Sequence, residues 1–80
     1  IHESETNIKK YYRVQLGAYS VKTNAEKLQI ELKKKGYISI IKFVGNLYKV
    51  QLGAYSVKSN ADALKSKLEK FGYKPIIIFN

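Results

Sequence analysis

The side chains that usually carry out catalysis are few in this chain, and their spacing does not bring them together. The 80-residue sequence has six acidic residues, one histidine and no cysteine. Glu3 and Glu5 lie in a polar N-terminal stretch, and the other acidic residues are spread over two predicted helices. His2 stands alone in the same stretch, without the neighbouring ligands that a metal needs. We therefore expect no catalytic carboxylate pair, no metal site and no cofactor in this chain.

Binding chemistry is better represented, by amides and cations on alternate residues of two predicted strands. Arg13 and Gln15 flank Val14, and Lys49 and Gln51 repeat the arrangement later in the chain. Because strand side chains alternate between faces, the four polar residues share one face of a sheet. Amides suit hydroxyl and acetamido groups, whereas arginine and lysine suit carboxylate or phosphate. A half-buried sheet with a merely solvated face shows the same alternation, so that alternative stays open.

These residues belong to a stretch, VQLGAYSVK, that occurs twice, at residues 14–22 and 50–58. Each copy is followed by apolar residues at helical spacing, which predicts an amphipathic helix. Thr23 and the equivalent Ser59, each followed three residues later by an acidic residue, are predicted as helix N-caps. Gly36 is predicted as the left-handed stop of the first helix.

An apolar strand pattern follows each helix, which gives the order β-α-β-β-α-β. We predict strands at residues 37–44 and 74–79, with Gly45-Asn46 as a short turn. This order predicts an α+β ferredoxin-like sandwich, with a four-stranded antiparallel sheet, both helices on one face and an internal pseudo-twofold repeat. The repeated strands then lie at the sheet centre. The other two strands form the edges, which agrees with Pro75 because proline is tolerated there.

Composition and charge predict the domain bounds and the kind of partner. Residues 1–10 are predicted to be a linker or disordered tail, and residues 11–80 a single domain with halves 11–45 and 46–80. The formal charge of +9 predicts an anionic partner or surface. No apolar run is long enough to cross a membrane. Since the chain begins with isoleucine, we expect a fragment of a longer protein whose targeting signal lies elsewhere.

The pattern VQLGAYS, followed by an N-A-[ED] helix start and then K-[KF]-G-Y, resembles the SPOR (sporulation-related repeat) domain of bacteria. The resemblance covers residues 11–79 and implies the fold predicted above. It also implies a non-catalytic module that binds peptidoglycan, with a preference for glycan strands stripped of their stem peptides. In the family the sugar chain lies across the exposed sheet face, and the glutamine of the first V-Q motif, here Gln15, is a binding residue.

Other family positions can be carried over one at a time. Ala18 stands where other members have a serine contact. Leu47 replaces a tryptophan of some members, while Lys49, two residues on, keeps the cation. The last-strand contact falls at Ile76 or Ile78, and Tyr11 lies at the rim of the face. Together with the residues chosen by strand parity, the predicted glycan-binding set is Gln15, Gln51, Arg13, Lys49, Leu47, Ala18 and Ile78.

The resemblance also implies a context. It is that of a C-terminal module which targets a secreted N-acetylmuramoyl-L-alanine amidase to the bacterial cell wall during sporulation. The catalytic domain would then lie outside this sequence, and the positive charge would add attraction to anionic wall polymers. We expect a monomer with no membrane contact. The alternative is an RNA or single-stranded nucleic-acid module of the same topology, although LYKVQLGAY does not match the RNA-recognition signature. A protein-docking domain is the third possibility.

Overall fold

In a computed structural model, which describes residues 10–80, the chain forms the predicted α+β sandwich. The elements are β1 (Tyr12–Tyr19), α1 (Lys22–Lys34), β2 (Ile40–Val44), β3 (Leu47–Tyr55), α2 (Lys58–Glu69) and β4 (Ile76–Phe79). The four strands form one antiparallel sheet in the order β2-β3-β1-β4. This order confirms that the repeated strands are central and that β2 and β4 are edges. The predicted linker, except for Lys10, lies outside the described residues.

The core lies between the sheet and the two helices. Its fully buried members come in equivalent pairs from the two halves, together with Leu52: Val14 and Val50, Ala25 and Ala61, and Leu32 and Leu68. Leu16 is half-buried and packs beside this cluster. Burying a side chain the size of leucine stabilises the fold by about 1.5–3 kcal/mol. The predicted inward face of the central strands is therefore confirmed.

The internal repeat is visible in the register of the sheet. Gln15 of β1 lies opposite Gln51 of β3, and these positions are 36 residues apart, which is the offset of the repeat. Ile76 lies opposite Gln15 from one edge, and Ile40 lies opposite Gln51 from the other. The same offset relates Ile40 to Ile76. A pseudo-twofold axis therefore passes between the two glutamines.

The predicted helix N-caps are wrong. α1 begins at Lys22, its N-cap is the extended residue Val21, and Thr23 already lies in the first turn with no side-chain cap. The carbonyl of Val21 accepts the first helical hydrogen bond, from the backbone N of Asn24 at 3.1 Å. α2 starts in the same way after Val57, so Ser59 is not its cap. The chain turns into each helix earlier than the capping-box pattern indicates, and two residues separate the end of each strand from the helix that follows it.

The predicted helix stop is confirmed. Gly36 has a φ of 93°, a conformation that glycine adopts without a steric cost. Its backbone N donates to the carbonyl of Lys33 at 3.0 Å, and that of Tyr37 donates to Leu32 at 2.9 Å. These two bonds form a Schellman motif, which pairs the last carbonyls of α1. The loop that follows delays β2 until Ile40, three residues later than predicted.

The hairpin between β2 and β3 agrees with the sequence. Gly45 and Asn46 have φ values of 59° and 65°, as a two-residue type I′ turn requires. Val44 therefore lies directly opposite Leu47. β4 is also shorter than predicted, since it begins at Ile76.

Candidate functional site on the open sheet face

The sheet has one face without helices, which we call the open face. Strand alternation and register place these residues on it: Arg13, Gln15, Ala18, Ile40, Lys42, Val44, Leu47, Lys49, Gln51, Ile76 and Ile78. All seven predicted glycan-binding residues are in this set, so the fold brings them together on one surface. Their role in binding stays a prediction.

The two central glutamines are not the exposed amides that the sequence predicts. Gln15 is 9% exposed and Gln51 is 3% exposed, and the Nε2 of Gln51 donates to the Oε1 of Gln15 at 3.3 Å. Residues of central strands have neighbours on both sides, so their side chains are covered even on a face without helices. The flanking positions in this row, Ile76 and Ile40, are about half exposed. In this row two nearly buried amides therefore lie between two half-exposed isoleucine side chains.

The hydrogen-bonding capacity of the glutamine pair is not exhausted. Within residues 10–80 the Oε1 of Gln51 is buried and has no hydrogen-bond partner. A buried unpaired acceptor costs about 1–3 kcal/mol relative to a paired one. Each amide also carries two donor hydrogens, and the contact between Gln51 and Gln15 uses one of the four. The pair thus has one acceptor and further donor hydrogens left for a ligand, and the buried Oε1 becomes accessible from this face when the Gln51 side chain rotates.

Cations lie on both sides of the glutamine pair. On one side the Nε of Arg13 donates to the Oδ1 of Asn80 at 3.0 Å, and its guanidinium lies 5.7 Å from the ring centre of Tyr11. On the other side Lys49 lies opposite Lys42 in the register of β2 and β3. The strands contain no acidic residue, since the acidic side chains of residues 10–80 are all on the helices. The charged side chains on the open face are therefore all cations.

Sequence reasoning missed the contribution of β2 to this face. Lys42 and Val44 lie opposite Lys49 and Leu47, and Ile40 lies opposite Gln51. A two-residue turn fixes the register of the strands it joins. The Gly45-Asn46 turn could thus have assigned these residues to the face from the sequence alone.

The repeated glycines and tyrosines serve packing. A Cβ added at Gly17 would lie 2.8 Å from the Cε2 of Tyr19, and one added at Gly53 would lie 2.5 Å from the Cε2 of Tyr55. Each glycine therefore makes room for the ring two residues later, and both rings pack beside the core. The glycines lie within the strands, next to register shifts, and not at the bend before the helix.

A second polar cluster lies on the helix side of the sheet. The hydroxyl of Tyr73 donates to the Glu31 carboxylate, and this hydrogen bond lowers the pKa of Glu31. The Nζ of Lys35, 3.7 Å from Glu31, lowers that pKa further and lies 5.6 Å from the ring centre of Tyr73. Burial and the same hydrogen bond raise the pKa of Tyr73. The cluster ties α1 to the segment before β4.

The described part of the chain contains no group of three or more His, Cys, Asp or Glu side chains that could hold a metal ion. No helix within residues 10–80 is long and apolar enough to cross a membrane.

The fold and the open face define a known class of bacterial domain. The chain belongs to the SPOR domain family, whose pattern it matches over residues 9–79. Among solved structures it is similar to the solution structure of the peptidoglycan binding domain of the B. subtilis cell wall lytic enzyme CwlC. The two share 40% sequence identity with a TM-score of 0.81, over 92% of this chain and 94% of that chain. The family and the fold predicted from the sequence are confirmed.

A more distant likeness shows the fold alone. The crystal structure of a putative exported protein from Burkholderia pseudomallei K96243 has 20% identity and a TM-score of 0.77. The match covers 88% of this chain and 16% of that one. No curated protein matches the chain.

Proposed function

We propose that this chain is a non-catalytic peptidoglycan-binding module whose open face holds a glycan strand. The observation that carries the proposal is the buried glutamine pair at the centre of that face, with an unpaired acceptor at Gln51. The similarity to the peptidoglycan binding domain of CwlC, over nearly the full length of both chains, supports the same function.

The glutamine pair matches the acetamido group of the wall sugars. A secondary amide has one N–H donor and one carbonyl acceptor. Its N–H would donate to the Oε1 of Gln51, and its carbonyl would accept from the amide of Gln15. Burial and the contact between the two amides already restrict both side chains, so the rotation that presents the Oε1 of Gln51 costs little further side-chain freedom. The half-exposed Ile40 and Ile76 would then cover the apolar faces of the sugar rings.

The cations on either side provide the second recognition element. Arg13 and Lys49 meet the lactyl carboxylates that muramic acid carries when its stem peptide has been removed. A stripped glycan strand therefore gains an ion pair that an intact one lacks, since the stem peptide consumes that carboxylate. The overall charge of +9 adds a weaker, salt-sensitive attraction to anionic wall polymers.

Nucleic acid fits this face less well. Proteins that bind single strands stack bases on aromatic side chains. Register and alternation instead place the aromatic residues of β1 to β4 on the helix side, where Tyr12 contacts Phe79 and Tyr48 contacts Phe43, each pair with ring centres 4.5 Å apart. Apart from Tyr11 at the rim, beside Arg13, the residues on the open face are amides, cations and aliphatic side chains.

The proposed context is the wall itself. The module acts as a monomer at the bacterial cell wall, as part of a secreted, sporulation-associated lytic enzyme, an N-acetylmuramoyl-L-alanine amidase, whose catalytic domain lies elsewhere in the protein. By binding the insoluble substrate it raises the local concentration of that catalytic domain.

Co-sedimentation tests the proposal against its alternative. The wild-type chain is mixed at physiological salt with purified sacculi, and in parallel with a mixed-sequence RNA oligonucleotide. Retention on sacculi and weak, salt-sensitive RNA binding are expected. Tight RNA binding without retention on sacculi would overturn the proposal.

A matched pair of charge variants locates the site. Arg13→Gln/Lys49→Gln removes two cations from the open face, and Lys27→Gln/Lys67→Gln removes two exposed cations from the helices. Both variants have the same net charge. We expect the first to weaken binding to sacculi by at least about tenfold, and the second by much less.

A further inference from the structure

The two edges of the sheet differ, although the chain around them is repeated. Beside the edge strand β2 lies a groove of about 300 Å³, formed by α1 and by the loop that leads into the strand. We call it the β2 groove; its lining residues are Gln29, Ile30, Lys33, Ile38 and Ser39. Ile30 is 57% exposed and Ile38 is 73% exposed. Two large aliphatic side chains are therefore open to solvent next to an unpaired strand edge.

The equivalent edge of the second half is closed to such contacts. Applying the repeat offset, Ser66 replaces Ile30, Lys74 replaces Ile38 and Pro75 replaces Ser39. The apolar pair becomes polar, and proline removes a backbone N–H at the start of β4. Charge and proline are common means of blocking strand pairing at a sheet edge. The first half lacks both at these positions.

Ser39 supplies an independent indication that the β2 groove takes a ligand. The residue is only 6% exposed, and its backbone carbonyl accepts from the Nε2 of Gln29 at 2.8 Å. Its hydroxyl oxygen is buried and has no hydrogen-bond partner among residues 10–80. A buried hydroxyl without a partner is uncommon in folded proteins. Because Ser39 lines the groove, a polar group that enters it would pair with this hydroxyl once the side chain rotates towards it.

The backbone of β2 extends the groove into a docking edge. In the described part of the chain β2 pairs with β3 alone, so the backbone groups along its other side are open to another strand. Ile40, Phe43 and Val44 are each about half exposed along this strand. Side chains of an added strand that point to the helix side would run along α1 towards Ile30.

The positive charge around the edge of β2 favours an acidic binding partner. Lys33 lines the β2 groove and Lys42 lies in β2, whereas Glu31, on the neighbouring turn of α1, is engaged by Tyr73. A second copy of this chain would bring its own lysines against these and carries a charge of +9. Like charges at close range disfavour that pairing.

We propose that the β2 groove and the free edge of β2 bind an extended segment of a partner protein in which acidic and aliphatic residues alternate. The segment adds as a fifth strand, with its backbone paired to β2, its aliphatic side chains in the groove and its carboxylates beside Lys33 and Lys42. The β2 groove lies on the helix side of the sheet, away from the glutamine pair, whereas Ile40 and Lys42 of β2 border both surfaces.

A synthetic peptide tests the proposal. An end-blocked octapeptide of alternating valine and glutamate is titrated into the isotopically labelled chain and followed by NMR. We expect saturable shifts of the amides of β2 and of residues 38 and 39, whereas the same peptide with lysine in place of glutamate causes none. Shifts elsewhere only, or equal binding of the two peptides, would overturn the proposal.

Variants that copy one half onto the other provide the controls. Ile30→Ser/Ile38→Lys gives the first edge the residues of the second, and we expect at least about tenfold weaker peptide binding. Both positions are exposed, so the fold is retained; Ser39→Pro is the second variant, with the same expected loss. The reverse change, Ser66→Ile/Lys74→Ile, leaves binding unchanged, because Pro75 still blocks that edge.

The outcomes separate this proposal from the proposed function. Unchanged peptide binding by Ile30→Ser/Ile38→Lys would contradict the proposed peptide site. Stronger peptide binding by Ser66→Ile/Lys74→Ile would also contradict it, because the peptide would then adhere to any exposed apolar residues. Self-association through β2, measured by analytical ultracentrifugation, would replace the partner with a second copy and overturn it too. Because Ile38→Lys adds a cation, retention of Ile30→Ser/Ile38→Lys on sacculi is at least that of the wild type, whatever the result of the peptide experiment.

Discussion

At the residue scale, stability does not explain why two glutamines lie at the centre of the sheet. Gln15 and Gln51 lie at the centre of the sheet, nearly buried, with one amide oxygen unpaired within the described residues. A pair of aliphatic side chains at these positions would bury the same volume without an unpaired polar atom. We infer that the amides are there for binding.

Replacing both glutamines tests this inference. We expect Gln15→Leu/Gln51→Leu to leave the free energy of unfolding unchanged or to raise it by about 1 kcal/mol, because no buried amide remains without a partner. Urea unfolding followed by circular dichroism measures the change. A loss of more than about 2 kcal/mol would show that the pair holds the sheet together, and the inference would then be wrong.

The two repeated glycines allow a second test, because their backbones differ. Gly53 has a φ of 71°, whereas Gly17 has no positive φ. Alanine at either position meets the tyrosine ring two residues later, but only at position 53 does it also force a left-handed backbone. We expect Gly53→Ala to cost about 1–2 kcal/mol more than Gly17→Ala in thermal or urea unfolding. Equal costs would contradict the difference in conformation.

At the scale of elements, the repeat made most of the fold predictable. Two copies of a strand-helix-strand pattern indicate the order of elements, and the positions of Gly36 and Gly45-Asn46 indicate where α1 ends and where β2 turns into β3. The helix starts were mispredicted because Thr23 and Ser59 satisfy a local pattern. The helices instead start at Lys22 and Lys58, with the extended residues Val21 and Val57 as their N-caps.

The burial of the glutamines could not be predicted from alternation. Alternation assigns a residue to a face, but the cover over that face depends on the strands that flank it. Those flanking residues, Ile40 and Ile76, are known only once the register of both edge strands is known. The open acceptor at Gln51 depends on side-chain geometry and leaves no trace in the sequence.

The link between α1 and the segment before β4 predicts a pH dependence. The hydrogen bond from Tyr73 lowers the pKa of Glu31, so it stabilises the fold above the ordinary pKa of a glutamate. That contribution is lost as the pH falls through the lowered pKa. The raised pKa of Tyr73 means that the same bond is also lost at high pH, as the phenol ionises. The bond therefore stabilises the fold between these two limits.

Tyr73→Phe tests this link. We expect a lower Tm near neutral pH, and a smaller fall in Tm between neutral and acidic pH than the wild type shows. Thermal unfolding at a series of pH values measures both. Tyr37→Phe, at the equivalent position of the first half, is the control and leaves the pH profile unchanged. Parallel profiles for Tyr73→Phe and wild type would contradict the role of the Glu31 contact.

At the scale of the whole molecule, the pseudo-twofold repeat has been modified unequally on its two sides. The glutamines, the central cations and the core are kept in both halves. The edges differ, since Lys42 of β2 corresponds to Ile78 of β4, and Ile30 corresponds to Ser66 of α2. We assign the glutamines and central cations, which both halves share, to glycan binding. We assign the β2 groove and the free edge of β2, which differ from the second half, to binding of a protein partner.

The unequal edge charges give a prediction for wall binding. Lys42→Ile removes a cation from one end of the open face, and Ile78→Lys adds one at the other end. We expect the first to weaken and the second to strengthen binding to sacculi, each by about threefold at physiological salt, with both effects reduced in 1 M salt. Changes of the same sign in the two variants would contradict an electrostatic contribution from this face.

The central claim is that the glutamine pair binds the sugar chain. The affinity of the chain for purified glycan strands without stem peptides is compared with that of Gln15→Ala, Gln51→Ala and, as a matched control on α1, Gln29→Ala. We expect each of the first two to weaken binding by at least about tenfold and the control to bind like the wild type. If Gln15→Ala and Gln51→Ala both bind like the wild type, the glycan does not lie on this face.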